Sequence, residues 1–314
     1  MSDTAIIVVT FNSAAVIGAC LDSCLTHEPG AELVVVDNAS QDLTREVVRS
    51  RPNVRLIANP ENIGFAAAVN QGVRATTAPY VLLLNPDARL LTSVQSMAEE
   101  CRKGAGAVGG KLTHPDGSAQ IGFALRRLPT AATLVFEALG INRLWPNNPW
   151  NRRYRCLDRD LDAPGEAEQP AGAFLMFRRD AWQAVGGFDP AFHPVWFEDV
   201  DFCKRLKDRG ISIRYTPAAV ACHEGGHSVK YLAWADRQGY WYGSLLRYAG
   251  KHFRPAKRRL VCLGSAAGLA PRLLIQVAGK GDLAAMIPAL RIFRLAGRTF
   301  LKRTRCTRTE HSAG

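Results

Sequence analysis

The chain has 314 residues, 47% of them hydrophobic, enough to bury one sizeable core or a core with an appendage. Its net charge of +12 is unevenly placed: residues 230–314 hold 17 Lys and Arg against three acids, and the first 229 residues hold 23 basic and 25 acidic side chains. A basic body is thereby excluded, and the basicity belongs to a tail. Such a tail suits an anionic surface, either the cytoplasmic leaflet of a membrane or nucleic acid, or serves solubility alone.

The chain opens on Ile6-Ile7-Val8-Val9-Thr10, which reads as a buried strand, so no secretory signal is expected. A helix follows over Ala14–Thr26, a strand over Leu33–Val36, a helix over Leu43–Ser50 and a short strand over Val54–Ala58. Ala66–Ala75 is a further helix and Tyr80–Leu84 a fourth strand. Continuous apolar strands separated by helices predict an α/β fold, with a mainly parallel sheet covered on both faces. Ligands sit at the carboxyl ends of such strands. The polar clusters fall there: Thr10-Phe11-Asn12, Asp37-Asn38-Ala39-Ser40 and Asn85-Pro86-Asp87.

Residues Leu125–Ala171 are less regular, with Trp145 to Trp150 and a charged stretch at 152–162, and read as a mobile loop or an acceptor-facing insertion. A strand over Gly172–Phe177, helices over Arg179–Val185 and Asp199–Arg209, and a strand over Ser212–Tyr215 follow. From Tyr231 the pattern is helical and basic to the end. The apolar runs Leu260–Ala270 and Leu273–Ala278 are each shorter than the roughly 18 to 20 residues of a spanning helix. Between Ile287 and Leu301, apolar residues alternate with Arg291, Arg294 and Arg298 at helical spacing. That pattern fits a helix lying on a membrane surface, or one packed on the rest of the protein. Eight cysteines form no CxxC pair, so reduced structural thiols in a cytosolic compartment are expected.

Three segments carry the chemistry. Asp87, directly after a buried strand, is placed to hold a divalent cation against a diphosphate, although Asn85-Pro86-Asp87 is also a good turn sequence. Glu198, Asp199 and Asp201 crowd three acids beside Trp196 and Phe197 at a helix start. The helix dipole accounts for one such acid; a general base accounts for the cluster. His223, before Glu224-Gly225-Gly226-His227-Ser228, suits a metal ligand, a phosphate contact or a structural histidine.

Other classes fit less well. A dehydrogenase wants GxGxxG after the first strand, where this chain has Thr10-Phe11-Asn12-Ser13-Ala14-Ala15, and a sugar-phosphate nucleotidyltransferase wants a Gly-rich basic loop near the N-terminus. A nucleic-acid module wants basic residues interleaved with aromatics, but Phe293 and Phe300 are the tail's only late aromatics, so no nucleic acid is expected. A non-catalytic sugar-nucleotide sensor would have no need of Asp87, Glu198, Asp199 and His223 together.

The ordered set Val9–Asn12, Val36–Ser40, Glu61–Gly72, Leu84–Asp87, Gly172–Met176, Gly186–Asp189 and Phe197–Asp201 resembles the family 2 glycosyltransferases, and within them the bacterial rhamnosyltransferase-type branch. The resemblance spans roughly residues 4–230. It implies a GT-A catalytic domain over 1–230, with a nucleotide-sugar half at about 1–110 and an acceptor half at about 111–230, followed by a basic helical region at 231–314. Thr10, Phe11 and Asn12 would line the nucleotide pocket, Asp37 would bond the base with Asn38 beside it, and Asn62, Gly64 and Asn70 would border the ribose and diphosphate. The family's Asp-x-Asp becomes Asn85-Pro86-Asp87, which leaves Asp87 as the main ligand of Mg²⁺ or Mn²⁺ and His223 as a second ligand or phosphate contact. Asp199 would be the base, paired with Glu198. Gly172 and Ala173 would leave room for the donor sugar, and Trp196 would pack on a sugar face. The implied activity is inverting transfer of a sugar, rhamnose first and galactofuranose or N-acetylhexosamine next, from a dTDP- or UDP-sugar. The implied acceptor is a hydroxyl of a cell-surface or lipid-linked glycan, at the inner face of the membrane.

Overall fold

The computed structural model describes residues 3–226, 233–280 and 286–301. His227, Ser228 and the expected boundary at 230 lie outside them. The chain divides into two units, one of Met1–Pro129 with Pro146–Ala233, the other of Thr130–Trp145 with Trp234–Gly314.

The first unit opens with β1 (Thr4–Thr10), α1 (Ala14–His27), β2 (Glu32–Asp37), α2 (Thr44–Arg49), β3 (Arg55–Ala58), α3 (Phe65–Arg74) and β4 (Tyr80–Leu84). These match the predicted elements to within a residue or two. β5 (Ala88–Leu90), α4 (Gln95–Arg102), β6 (Ala107–Thr113) and β7 (Leu125–Arg126) follow. After residue 146 come α7 (Pro149–Tyr154), β8 (Gly165–Glu166), β9 (Gln169–Pro170), β10 (Phe174–Arg178), α8 (Arg179–Ala184), α9 (Glu198–Asp208) and β11 (Ile213–His223). The stretch 125–171, expected to be irregular, thus carries short helices and strands. Asn148 caps α7 by accepting from the Asn151 N–H.

The main sheet runs β3-β2-β1-β4-β10-β6-β11-β5, with β8 alongside β11. β1, β2, β3 and β4 are mutually parallel, and β10 enters antiparallel between β4 and β6. Alternation along each strand builds two cores. Ile6, Val8, Leu82 and Leu84 join Ile17 and Leu21 of α1 on one face. Ile7, Val9, Val36 and Leu83 join Val69, Phe177 and Phe202 on the other. β6 escaped prediction because it is built on Gly109 and Gly110. A Cβ there would come within 2.5 Å of Pro170 and 2.1 Å of Phe174, so only glycine admits the neighbouring chain.

The second unit holds α5 (Ala131–Leu139) and α6 (Ile141–Leu144) together with α10 (Trp234–His252), α11 (Pro255–Lys280) and α12 (Met286–Leu301). Thr130 caps α5 from its side chain, and Gly140 ends it in the left-handed region at φ 78°. The helix lies against α11 at two glycines: a Cβ on Gly268 would come within 2.0 Å of the Ala138 carbonyl oxygen, and one on Gly264 within 3.0 Å of Val135. The Tyr242 hydroxyl of α10 donates to that same carbonyl at 3.1 Å.

Candidate active site

One edge of the sheet collects the functional segments. β1 ends at Thr10, β2 at Asp37 and β4 at Leu84, while Phe174 at the start of β10 stands opposite Leu84. β11 ends at His223, opposite Ala88.

Asp87, in the turn after β4, and His223, at the end of β11, are both buried, and Asp87 Oδ1 lies 3.4 Å from His223 Nε2. Gln120 holds the imidazole from behind. Its Nε2 donates to the His223 carbonyl oxygen at 2.5 Å, which fixes the amide's orientation and aims Oε1 at His223 Nδ1, 3.1 Å away. With Nδ1 donating to Gln120, Nε2 is the ring nitrogen turned toward Asp87 and the one able to accept or to bind a cation. Phe123 stacks on the ring at 5.1 Å and 13°. An acceptor nitrogen and a carboxylate oxygen at this separation repel each other unless a cation or proton joins them. The donor set, one carboxylate and one imidazole, suits a small divalent cation. Among the described residues no cluster of three or more His, Cys, Asp or Glu offers a metal site. An ion here would complete its shell with diphosphate oxygens and water. Asn85 joins from the same turn, with its Nδ2 3.5 Å from Nε2.

The loops expected to form the nucleotide half are built around Asp37. Its Oδ1 accepts from Thr10 Oγ1 at 2.8 Å and from the Ser40 hydroxyl; Oδ2 accepts from the Ser40 N–H at 3.1 Å and from Arg45 Nε at 2.6 Å. These bonds fill the roughly four acceptor positions of a carboxylate. Asp37 is fully buried and ties the ends of β1 and β2 to Ser40 and Arg45; a base meeting it as expected would take the place of one of these partners. Ser40 Oγ in turn accepts from the Asn12 N–H at 2.9 Å, and Asn12 Oδ1 from the Gln41 N–H at 2.8 Å, which ties the two loops together. Phe11 and Asn12 remain half-exposed, whereas Asn38 is buried and accepts from Asn59 Nδ2 at 3.0 Å. Asn62 is exposed and accepts from the Gly64 N–H at 2.9 Å. Gly64 has φ +83°, and a Cβ there would meet His193 at 2.7 Å, so the entry to α3 requires glycine.

Asn70 faces the interior. It is buried, with Nδ2 donating to the Phe188 carbonyl at 2.7 Å and Oδ1 accepting from the Phe188 N–H at 2.9 Å and Trp182 Nε1 at 3.1 Å. The phase of α3 turns it toward α8 and the Gly186-Gly187 turn.

Asp199 sits in the first turn of α9, reached through Trp196 and Phe197 with φ +79° and +67°. Its Oδ2 accepts from the Gly172 N–H at 3.0 Å and Gln169 Nε2 at 3.3 Å, and its Oδ1 from the Val200 N–H at 2.8 Å. A Cβ at Gly172 would come within 3.1 Å of the Asp199 Cβ, so glycine permits this approach. The next residue, Ala173, accepts at its carbonyl from the Asn85 N–H at 3.0 Å. Two consecutive residues, 172 and 173, therefore join the acid of α9 to the turn that carries Asp87. Glu198 points elsewhere. It is buried, its Oε2 has no hydrogen-bond partner, and burial, followed by the charges of Asp199 and Asp201, pushes its carboxyl well above the usual range. Asp201 is paired with Arg205 at 2.7 Å. Of the pair Glu198 and Asp199, only Asp199 is half-exposed and hydrogen-bonded through both carboxylate oxygens.

A groove of about 1350 Å³ lies at the other edge of the sheet, beside Ala105 and Ile213, and none of the expected site residues lines it. Sequence reasoning missed Gln120, Phe123, Arg45 and Gln169, which belong to no motif. Arg45 alone left a trace, as a lone base between the acids of the loop after β2.

The model of glycosyl transferase family 2 matches residues 5–185, and that of glycosyl transferase family group 2 matches residues 158–298. The chain belongs to glycosyl transferase family 2. It is 30% identical over 257 residues to the N-acetylglucosaminyl-diphospho-decaprenol L-rhamnosyltransferase of Mycobacterium tuberculosis, covering 71% of this chain and 81% of that one. It is 27% identical over 297 residues to the pre-mycofactocin glycosyltransferase of the same species, covering 91% of this chain but only 55% of the relative. Rhamnosyltransferase WbbL of Escherichia coli is 23% identical, over 71% and 83% of the two chains. Among solved structures, Staphylococcus aureus TarS with UDP-GlcNAc superposes with a TM-score of 0.56 at 14% identity, covering 95% of this chain and 81% of that one. The Pyrobaculum calidifontis mannosyltransferase with GDP-Man and Mn²⁺ superposes at 0.54 with 18% identity, covering 95% and 84%. The fold is that of the GT-A glycosyltransferases, and this family 2 member is a glycosyltransferase of rhamnosyltransferase-like type.

Proposed function

We propose that this glycosyltransferase is inverting and divalent-cation-dependent, and that it moves a sugar from a dTDP- or UDP-sugar to a hydroxyl of a lipid-linked or cell-surface glycan. The observation that carries the reading is the backbone link at Gly172 and Ala173, which ties Asp199 to the turn bearing Asp87, beside His223. A proton acceptor and a cation site on one sheet edge are the two groups that a single displacement at an anomeric carbon needs.

Asp87 and His223 would hold the cation, Mg²⁺ or Mn²⁺, which when bound offsets the charge growing on the diphosphate leaving group. The chain's own residues do the rest. Three of the roughly four acceptor positions on the Asp199 carboxylate are filled by Gly172, Gln169 and Val200, which fix its direction and leave one on Oδ1 for the attacking hydroxyl. Attack from the face opposite the leaving diphosphate inverts the anomeric centre without an enzyme nucleophile. The half-exposed Phe11 and Asn12, with Asn38 behind them and Asn62 and Gly64 at the mouth, form the nucleotide side of the pocket. Gly172 and Ala173 form its floor under the donor sugar, and Trp196 is the aromatic wall. Rhamnose is the first donor sugar because two of the relatives are rhamnosyltransferases, and a lipid diphosphate acceptor is named by the most extended of those matches. Such an acceptor would put the reaction at a membrane surface, the inner face being the one expected.

The test is a transfer and hydrolysis screen over purified dTDP- and UDP-sugars, with and without Mg²⁺ or Mn²⁺. Turnover of dTDP-rhamnose that disappears on chelation is expected; indifference to every donor would refute the assignment. Asp199→Asn keeps the shape and hydrogen-bonding size of the side chain but loses the base. Transfer falls about 10²–10⁴-fold, as is typical for a lost general base, while donor binding persists. A fully active Asp199→Asn enzyme moves the base elsewhere.

A further inference from the structure

Ten of the fifteen large hydrophobic side chains exposed among the described residues belong to the helical unit: Leu139, Leu144 and Trp145 at the end of α5 and α6, Leu260, Leu263 and Leu274 on α11, and Met286, Ile287, Leu290 and Leu301 on α12. Their exposure runs from 38% for Leu139 to 87% for Leu144. On α11 they are not scattered. Its solvent face between residues 260 and 274 reads Leu260, Leu263, Ala267, Ala270, Pro271, Leu274, an apolar stripe about four turns long at the 3.6-residue period, with Arg259 and Lys257 exposed at its N-terminal end.

The other exposed apolar residues continue the stripe. Gly268 of α11 meets Ala138, and Arg272 of α11 lies beside Gly140, which brings Leu139 and the Leu144-Trp145 corner to the C-terminal half of the stripe. Arg259 stacks over Phe300 at 5.3 Å, so α12 runs back along α11 and places Leu301 near Leu260. The exposed face of α12 alternates Ile287 and Leu290 with Arg291, Arg294 and Arg298. Neither helix contains an Asp or Glu.

Contiguous exposed apolar surface of this kind marks a partner. The charge decides which. A second copy docking through the same face would set these cations against their own duplicates with no acid to offset them. No described helix is long and apolar enough to cross a membrane. An apolar stripe whose charged fringe on α11 and α12 is only Arg and Lys matches the boundary between acyl chains and anionic headgroups. We propose that α11, α12 and the α5–α6 corner form a membrane-docking surface that lies in the plane of an anionic lipid leaflet, Leu263, Leu274 and Ile287 entering the acyl region and Arg291, Arg294 and Arg298 meeting the headgroups. The surface uses no residue of the donor pocket, so it stands or falls independently of the transferase reading.

The full chain is sedimented with vesicles of phosphatidylcholine alone and with one quarter phosphatidylglycerol, at low and high salt, without donor or acceptor. Binding to the anionic vesicles is expected, at least tenfold weaker on the neutral ones and reduced by salt. Leu263→Ser/Leu274→Ser/Ile287→Ser lowers it at least tenfold while the melting temperature holds, because these side chains are exposed. Arg291→Gln and Arg294→Gln each lower binding about fivefold, the equivalent of about 1 kcal/mol per basic residue at such a surface. Equal binding to neutral and anionic vesicles overturns the proposal. So does a wild-type dimer in solution that the triple serine variant dissociates, which would assign the face to a second copy.

Discussion

Gln120 touches His223 at two points, the backbone carbonyl and ring Nδ1, and so decides which ring nitrogen is free to meet a cation. Outer partners of this kind typically matter by about 10–100-fold in metal affinity. Gln120→Leu, similar in size but unable to accept from Nδ1, is expected to weaken Mn²⁺ binding by about that factor. Binding is read by the electron paramagnetic signal of free Mn²⁺, with nucleotide affinity in a chelator unchanged. Unaltered Mn²⁺ affinity would leave Gln120 a merely structural residue. Glu198 offers a second residue-level test. Its folded-state carboxyl titrates well above the ordinary value of 4.5 because it is buried. Above pH 4.5 the unfolded chain has released this proton while the folded chain keeps it, so stability is lost as pH rises, at about 1.4 kcal/mol per unit until the folded value is reached. Glu198→Gln removes that cost. Urea midpoints of variant and parent should coincide below about pH 4.5 and separate progressively above it, the variant being more stable. A gap that does not change with pH would show that Glu198 titrates normally. Asp87 and Asp199 were noticeable because each stands in an ordered motif beside a strand or helix end, and His223 because it precedes a Gly-Gly pair after a strand. Gln120 was not, since a buried amide in a loop carries no pattern.

At the scale of elements, α3 shows how a helix can be read from its spacing while the neighbours of one of its residues cannot. The Phe65–Arg74 helix followed from its apolar spacing, but which side of it meets the pocket depends on where α8 and the Gly186-Gly187 turn fold back. That is a contact across more than a hundred residues. Asn70 clamps this turn: a Cβ on Gly187, at φ +76°, would come within 2.7 Å of Asn70 Oδ1. Asn70→Ala removes three hydrogen bonds to buried partners and is expected to destabilise the protein by about 3 kcal/mol, read from denaturant midpoints. Donor affinity of the folded fraction should be unchanged; a loss of affinity at full stability would put Asn70 in the pocket. The strands divide in the same way. Tyr80–Leu84 is a run of large apolar residues buried on both faces, and periodicity finds it to the residue. Ala107–Thr113 depends on two glycines chosen for what lies above them, and no propensity announces it.

For the whole molecule, composition separated the basic tail from the body but could not say that Thr130–Trp145 belongs with it. That allegiance rests on a helix arriving more than a hundred residues later, and its only trace in sequence is the pair Gly264 and Gly268, small where α11 crosses α5. The consequence is testable by truncation. A chain ending at Ala233 keeps α5 but loses α10, α11 and α12, leaving the Val135 and Ala138 side of α5 without the two glycines and the Tyr242 hydroxyl that meet it. Buried Leu134 is on the same short helix. Each large apolar side chain returned to water costs about 1.5–3 kcal/mol, and a nine-residue helix does not hold itself together without packing. The truncated chain should therefore bind a hydrophobic dye and scatter light at concentrations where the full chain does neither. Removing residues 130–145 as well, with a short Gly-Ser bridge, should restore solubility. If the chain ending at Ala233 is monomeric and dark to the dye, α5 is covered by something other than the C-terminal helices, and the two segments are not one folding unit.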